Sequence, residues 1–133
     1  MQLGQLQKIE TELLELGYQI LAISPDLPEN LKASVEKNSL RYVLLSDSKV
    51  EAAKAFGLAF RVDQKGYERL SGFGIDLESA SGEEHHLLPV PAVFLVGKDG
   101  IIQFQYVNPN YRVRLTPEVL LAAAKTDVAR VAK

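Results

Sequence analysis

The sequence predicts an α/β layer fold with a mixed sheet. Three observations carry that expectation: helix-like and strand-like apolar patterns alternate through the first half, an Asp-Gly hairpin follows in the second, and an amphipathic helix closes the chain. Each element has a local cause. Leu3, Leu6, Ile9, Leu13 and Leu16 recur at spacings of three and four, which lines them along one face of an opening helix, and Gly17 supplies its left-handed stop. Tyr18 to Ser24 (YQILAIS) is a short apolar run that reads as a buried strand. Pro25 and Pro28 end it, and Pro28 is suited to the first position of a second helix that runs to about Asn38 with Leu31 and Val35 inward. A second strand spans Arg41 to Leu45. Asp47 and Ser48 open a third helix, where Ser48 and Glu51 have capping-box spacing, and Gly57 closes it behind Val50, Ala53 and Phe56.

From Leu58 to Leu88 the pattern loosens. Gly66, Gly72, Gly74 and Gly82 interrupt it, so residues 58–88 read as a loop-rich insertion, with a short helix around Tyr67 to Phe73. Order returns with Val90 to Val96, a strand with proline near its start. Gly97-Lys98-Asp99-Gly100 then turns the chain into an antiparallel return from Ile101 to Val107. Thr116 and Pro117 start the last helix, whose buried stripe is read as Val119, Leu120, Ala123, Ala124, Val128 and Val131.

The composition bounds the function. At 133 residues the chain fits one domain, 1–133, able to bury a real core. A net charge of −2 leaves no electrostatic footprint for nucleic acid. No apolar run approaches the roughly 18 residues that span a bilayer, and no signal peptide precedes the first helix. These features give the expectation of a cytoplasmic protein without a membrane partner. The 133 residues contain no cysteine, which removes disulfides, thiolate nucleophiles and sulfur-based zinc sites at once.

Val90-Pro91-Ala92-Val93-Phe94 followed by Lys98-Asp99-Gly100-Ile101 resembles the back half of thioredoxin-like proteins, where a strand with a cis-proline precedes a hairpin and a final helix. Leu21-Ala22-Ile23-Ser24-Pro25, Leu45-Ser46-Asp47 and Ala55-Phe56-Gly57 resemble the peroxiredoxin-like branch, the alkyl hydroperoxide reductase and thiol-specific antioxidant (AhpC/TSA) type. The resemblance implies a thioredoxin-like three-layer fold and a lineage of thiol-dependent peroxide or disulfide reduction. It also implies a cysteine motif at the start of the first helix, because a helix N-terminus stabilises a thiolate. This sequence begins about where such a motif ends, so the reading is of an N-terminally truncated member lacking the first strand and the redox motif. No position matches the cysteine. No catalytic residue and no cofactor follow for this chain.

Two further expectations rest on that resemblance. Val90, Pro91 and Ala92 would line a groove whose backbone meets an extended substrate, with Pro91 cis. The absent strand would be central, so two apolar strands would show unpaired edges, open to a homodimer through strand pairing or swapping. As the alternative to an oxidoreductase lineage, the chain is then a non-catalytic interaction module. Among other candidates, Arg112 and Arg114 beside Tyr106 and Tyr111 suit an anion. His85 and His86 next to Glu83 and Glu84 invite a metal, but adjacent side chains diverge, and a solvated loop is the expectation. Asp26, Asp47 and Asp76 are read as capping carboxylates rather than acids or bases, Gly72-Phe73-Gly74 as loop punctuation, and Ser24 and Ser46 as lacking a histidine partner.

Overall fold

Every element expected from periodicity is present, with shifted ends, in the structure, a computed structural model that describes residues 2–131. Two compact units emerge: Met1–Ile20, Leu40–Tyr42 and Pro91–Lys133 form one, Leu21–Ser39 and Val43–Val90 the other.

The first unit holds the main core. Helix α1 (Gln2–Glu15) buries Ile9 and Leu13, with Leu6 and Leu16 partly covered, as the spacing requires; the side chain of Leu3 lies outside the described residues. Strands β5 (Ala92–Val96) and β6 (Ile102–Val107) form the expected antiparallel hairpin, with Val93 opposite Tyr106 and Leu95 opposite Phe104. Those four side chains share one face and pack into the cluster of Ile9, Leu13, Leu115, Leu120 and Ala124. Gly100 has φ +80°, the left-handed conformation that the Asp-Gly signal anticipates.

Helix α6 (Pro117–Val131) completes the core through Leu120, Ala124 and Asp127, positions spaced four and three apart. The expected stripe is corrected here: Val119 and Val131 are exposed, and a carboxylate takes a core-facing position. Asp127 is tolerated there because it is bonded. The Tyr18 hydroxyl donates to its Oδ2, and Arg130 Nη2 reaches its Oδ1 at 3.0 Å. Leu40–Tyr42 is tied to α1 in the same manner. Arg41 N–H donates to Gln7 Oε1 at 2.8 Å, and Arg41 Nε stands 3.3 Å from the buried Glu10 carboxylate.

In the second unit, β1 (Leu21–Ser24) and β2 (Val43–Ser46) pair in parallel, joined through α2 (Pro28–Asn38), which has Pro28 at its start and Leu31 buried. The expectation of a buried strand fails. Leu21 and Ile23 are 55% and 51% exposed, and their register partners Val43 and Leu45 are exposed as well. Helix α3 (Glu51–Ala55) follows. Its cap is Asp47, whose carboxylate accepts from Ala52 and Ala53 N–H at 3.1 and 3.0 Å; the Ser48–Glu51 box does not form, and Val50 sits fully buried at φ +61°.

Residues 58–88, read as loop-rich, carry β3 (Ala59–Arg61), α4 (Gln64–Gly72), α5 (Leu77–Ser81) and the start of β4 (Leu87–Pro89). β3 and β4 pair antiparallel. The glycines that suggested a loop are instead helix ends and turns: Gly74 and Gly82 have φ +80° and +72°, and Asp63 and Asp76 cap the two helices. The fold is mixed α/β as expected: among the described residues the strands form three two-stranded ladders, one parallel and two antiparallel.

Candidate functional site

The groove residues expected from resemblance fall where the chain passes from one unit to the other. Val90 donates its N–H to Leu58 O at 2.8 Å, within the second unit. Pro91 accepts from Asn108 N–H at 3.2 Å, and Ala92 pairs with Val107, both within the first. All three are half-buried. Pro91 is not cis: no cis peptide bond occurs among the described residues. The trans form is intrinsically favoured by about 0.5–1 kcal/mol.

Arg112 and Arg114 each contact Tyr111. The 108–114 loop is built on asparagine turns: Asn110 N–H donates to Asn108 Oδ1 at 2.9 Å, and Arg112 N–H to Asn110 Oδ1 at 3.1 Å. The Arg112 guanidinium lies 5.7 Å from the centre of the Tyr111 ring, and Arg114 Nε donates to Tyr111 O at 2.7 Å. Both arginines are exposed, so water screens whatever they hold.

His85 and His86 overturn the solvated-loop reading. Leu87 N–H donates to His85 Nδ1 at 2.9 Å, which leaves Nε2 to carry the proton it gives to Ser48 O at 2.8 Å. With both ring nitrogens bonded to backbone, His85 is a structural pin. His86 stacks on Tyr67, 4.1 Å between ring centres, and places Nε2 2.7 Å from Glu78 Oε1. It does so at φ +52°, a costly conformation for a side chain of this kind. The two imidazoles thus serve different partners. No group of three metal-ligating side chains forms among the described residues.

Two of the three candidate carboxylates act as caps. Asp47 and Asp76 accept helix N–H bonds, and the Ser79 hydroxyl and backbone hold the Asp76 carboxyl below its usual range, aided by the Glu78 N–H. Asp26 does not cap; Leu27 precedes α2, while the Asp26 backbone bonds Ser24 Oγ and Ser46 Oγ. Both serines are spent on those turn contacts. A cleft touching Asp26, Ser81, His85 and His86 encloses about 20 Å³, the space of a single water.

Sequence reading missed one buried polar cluster. Burial pushes the Tyr18 phenol up to about 12, and the Asp127 carboxylate that it bonds adds to this. The Tyr18 hydroxyl and Arg130 in turn hold Asp127 below the usual carboxylate range. Arg130 also reaches Gln103 Oε1 at 2.8 Å, joining α6 to β6. Tyr42 is likewise pushed up to about 12 by burial, with the Glu10 charge contributing. Such phenols stay protonated at neutral pH and serve as hydrogen-bond donors, not bases. The only sequence signal was an acidic residue at helical spacing from Leu120 and Ala124, which looks like an exposed position until its partner 109 residues away is known.

These ladders and helices match solved structures along nearly the whole chain. AhpC of Enterococcus faecalis superposes with a TM-score of 0.70 at 20% identity, covering 98% of this chain and 68% of that one. Reduced Prx3 of Vibrio vulnificus, solved in complex with hydrogen peroxide, gives 0.69 at 17% identity, covering 94% and 67%. The fold is therefore the thioredoxin-like α/β fold of peroxiredoxins. The AhpC/TSA family model matches residues 1–105, and the chain belongs to that family. The peroxiredoxin bcp of Haemophilus influenzae is 42% identical over 53 residues, which are 40% of this chain and 34% of that relative.

Proposed function

We propose that this chain is a domain of the thiol-dependent peroxide- and disulfide-reducing lineage which, as these 133 residues, reduces neither. The observation that carries the proposal is the absence of cysteine from a chain of the AhpC/TSA family. Peroxide and disulfide chemistry in such folds needs a thiolate as nucleophile. Three other candidate groups are engaged: the His85 ring is bonded at both nitrogens, and the Tyr18 and Tyr42 phenols are held protonated. In this reading Val90, Pro91 and Ala92 keep the backbone of a substrate groove, the protein works in the cytoplasm, and Arg112 and Arg114 offer a weak contact for an anion. The test is hydrogen peroxide consumption and insulin reduction with a dithiol donor. Rates at the no-protein level are expected, and turnover above that level overturns the proposal.

A second reading is favoured by the ladders. β1 has a strand partner only in β2 and β5 only in β6 among the described residues, so each has an edge without a strand. Neither strand carries a charge or a proline to guard it. The chain is then a non-catalytic module that self-associates or takes a partner strand at these edges. Affinity capture that returns only the protein itself points to self-association; a stoichiometric second polypeptide points to a partner.

A further inference from the structure

We propose that the Asp99–Gly100 link at the tip of the β5–β6 hairpin is a site of backbone isomerisation, where the Gly100 nitrogen closes on the Asp99 carboxyl and the chain reopens as an isoaspartyl link. Of all the aspartates and asparagines in the sequence, Asp99 alone precedes a glycine. The reaction needs the nitrogen of the next residue to reach the side-chain carboxyl carbon, and a side chain on that residue hinders the approach. At Gly100 the approach is open: φ is +80°, and a Cβ built there would meet nothing within 4 Å.

The turn also aims the carboxyl. Ile101 N–H donates to Asp99 Oδ1 at 3.0 Å, an Asx-turn that folds the side chain forward across the intervening Gly100 nitrogen. The same oxygen lies close over Gly97, 2.9 Å from where a Cβ would stand. The carboxyl therefore rests on the backbone of its own turn, although Asp99 and Gly100 are both exposed. Gly100 N–H is donated to Gly97 O at 2.9 Å. That bond must open first, and the fraying of an exposed hairpin tip is among the cheapest motions of a fold. The two positions that precede a serine are held differently. Asn38 gives its amide to Ser34 O at 2.9 Å, and the Asp47 carboxylate is bonded to Ala52 and Ala53 N–H.

The atoms balance with water as the only co-reactant. The bond from Gly100 N to Asp99 Cγ forms as the Cγ–OH bond of the protonated carboxyl breaks, and the hydroxyl leaves with the nitrogen's proton as water. Water then adds to the cyclic imide. Addition at Cγ restores aspartate. Addition at the main-chain carbonyl breaks its bond to Gly100 N, so the chain runs through Cβ and Cγ and the old main-chain carboxylate becomes the side group. Mass and charge are unchanged, but the backbone is one carbon longer. That carbon falls where Gly100 N–H meets Gly97 O and Gly97 N–H meets Ile101 O, both at 2.9 Å, so the tip loosens. The pairs Val93–Tyr106 and Leu95–Phe104 lie deeper in the hairpin and keep their register. The freed carboxylate is the chemistry that an isoaspartyl carboxyl methyltransferase with a sulfonium methyl donor takes up.

The test holds the folded full chain in warm neutral buffer for several weeks and maps its peptides by electron-transfer fragmentation, which separates isoaspartate from aspartate at equal mass. Methyl transfer from S-adenosylmethionine by a purified isoaspartyl methyltransferase gives a second readout. Isoaspartate is expected to accumulate at residue 99 and to exceed the level at Asp26 and Asp63, which precede leucine and glutamine. Asp99→Glu, which would have to close a larger ring, should lose the signal. Asp99→Asn should reach the same imide faster, releasing ammonia in place of water. Gly100→Ala should slow the reaction about tenfold, a barrier higher by about 1.4 kcal/mol. Circular dichroism checks the fold of each variant, and the wild-type map decides the matter should one fail to fold. Isoaspartate at residue 99 no higher than at Asp26 and Asp63 overturns the proposal. So does a methyl-acceptor signal that Asp99→Glu leaves undiminished.

Discussion

In the β5–β6 hairpin, Val93 and Leu95 share a face with Tyr106 and Phe104 and belong to the same cluster as Ile9, Leu13, Leu120 and Ala124. In the β1–β2 ladder, Leu21 and Ile23 share a face with Val43 and Leu45, and that face is open. The two ladders are both short and rich in apolar residues. What differs is cover. The hairpin lies in the unit where α1 and α6 both present apolar stripes, and Leu95 is 5% exposed; Ile23 is 51% exposed. Burial of a strand residue is thus decided by whether a second amphipathic element reaches its face, and strand composition alone carries no information about that.

The contrast can be broken by substitution. Leu13→Ala in the covered region is expected to cost about 2–5 kcal/mol, read from the midpoint of urea unfolding, because a 3% exposed leucine leaves a cavity behind. Gly82→Ala acts in the other unit through the backbone: φ +72° is strained for alanine, and the new methyl would stand 2.9 Å from Leu27 Cδ2. A loss of roughly 1–2 kcal/mol is expected by the same measurement. Ile23→Ala should cost less than about 0.5 kcal/mol, because the side chain is half exposed. If it matched Leu13→Ala, the β1–β2 face would have to be covered in the monomer.

Smaller effects lie toward the ends of the pH scale. Asp127 is depressed in the folded state, so its contribution is present above its unfolded value of 3.8 and is lost as pH falls through the lower folded value. Acid unfolding of Asp127→Asn should lack that part of the slope, on a baseline already weakened because Tyr18 and Arg130 lose their charged partner. Tyr18 is raised, so its contribution is complete below 10 and fades as pH rises toward about 12. Absorbance titration should show a late step from the two raised phenols, Tyr18 and Tyr42, whose amplitude Tyr18→Phe roughly halves. A Tyr18 ionising at 10 would mean that its burial, and the bond to Asp127 with it, is absent in solution.

Much of the fold was legible because its causes are local. The spacing of Ile9 and Leu13, the proline opening α2 and the Asp-Gly turn before β6 each act within a few residues. The misreadings have causes that are distant in sequence. Glycines at 74 and 82 looked like loop because the helices they follow are short, nine residues in α4 and five in α5, and show little apolar period. His86 looked solvated because neither Tyr67 nor Glu78 is near it in sequence. The candidate site shows the same division. Arg112, Arg114 and Tyr111 lie within four residues and stood out together in the sequence, although the asparagine turns beneath them did not, whereas Tyr18 and Asp127 are 109 residues apart.

That last pair bears on how the protein is made. The unit that contains β1 to β4 is nearly continuous in sequence and can gather as it leaves the ribosome. The other unit cannot. Ile9 and Leu13 emerge early, and the helix that covers them follows about a hundred residues later, a delay on the order of 5–20 s at ordinary synthesis rates. During that interval the amphipathic stripe of α1 is open to water and to chaperones. The nascent chain is therefore most vulnerable before α6 appears, and truncation within the last helix should harm yield far more than the number of residues removed would suggest.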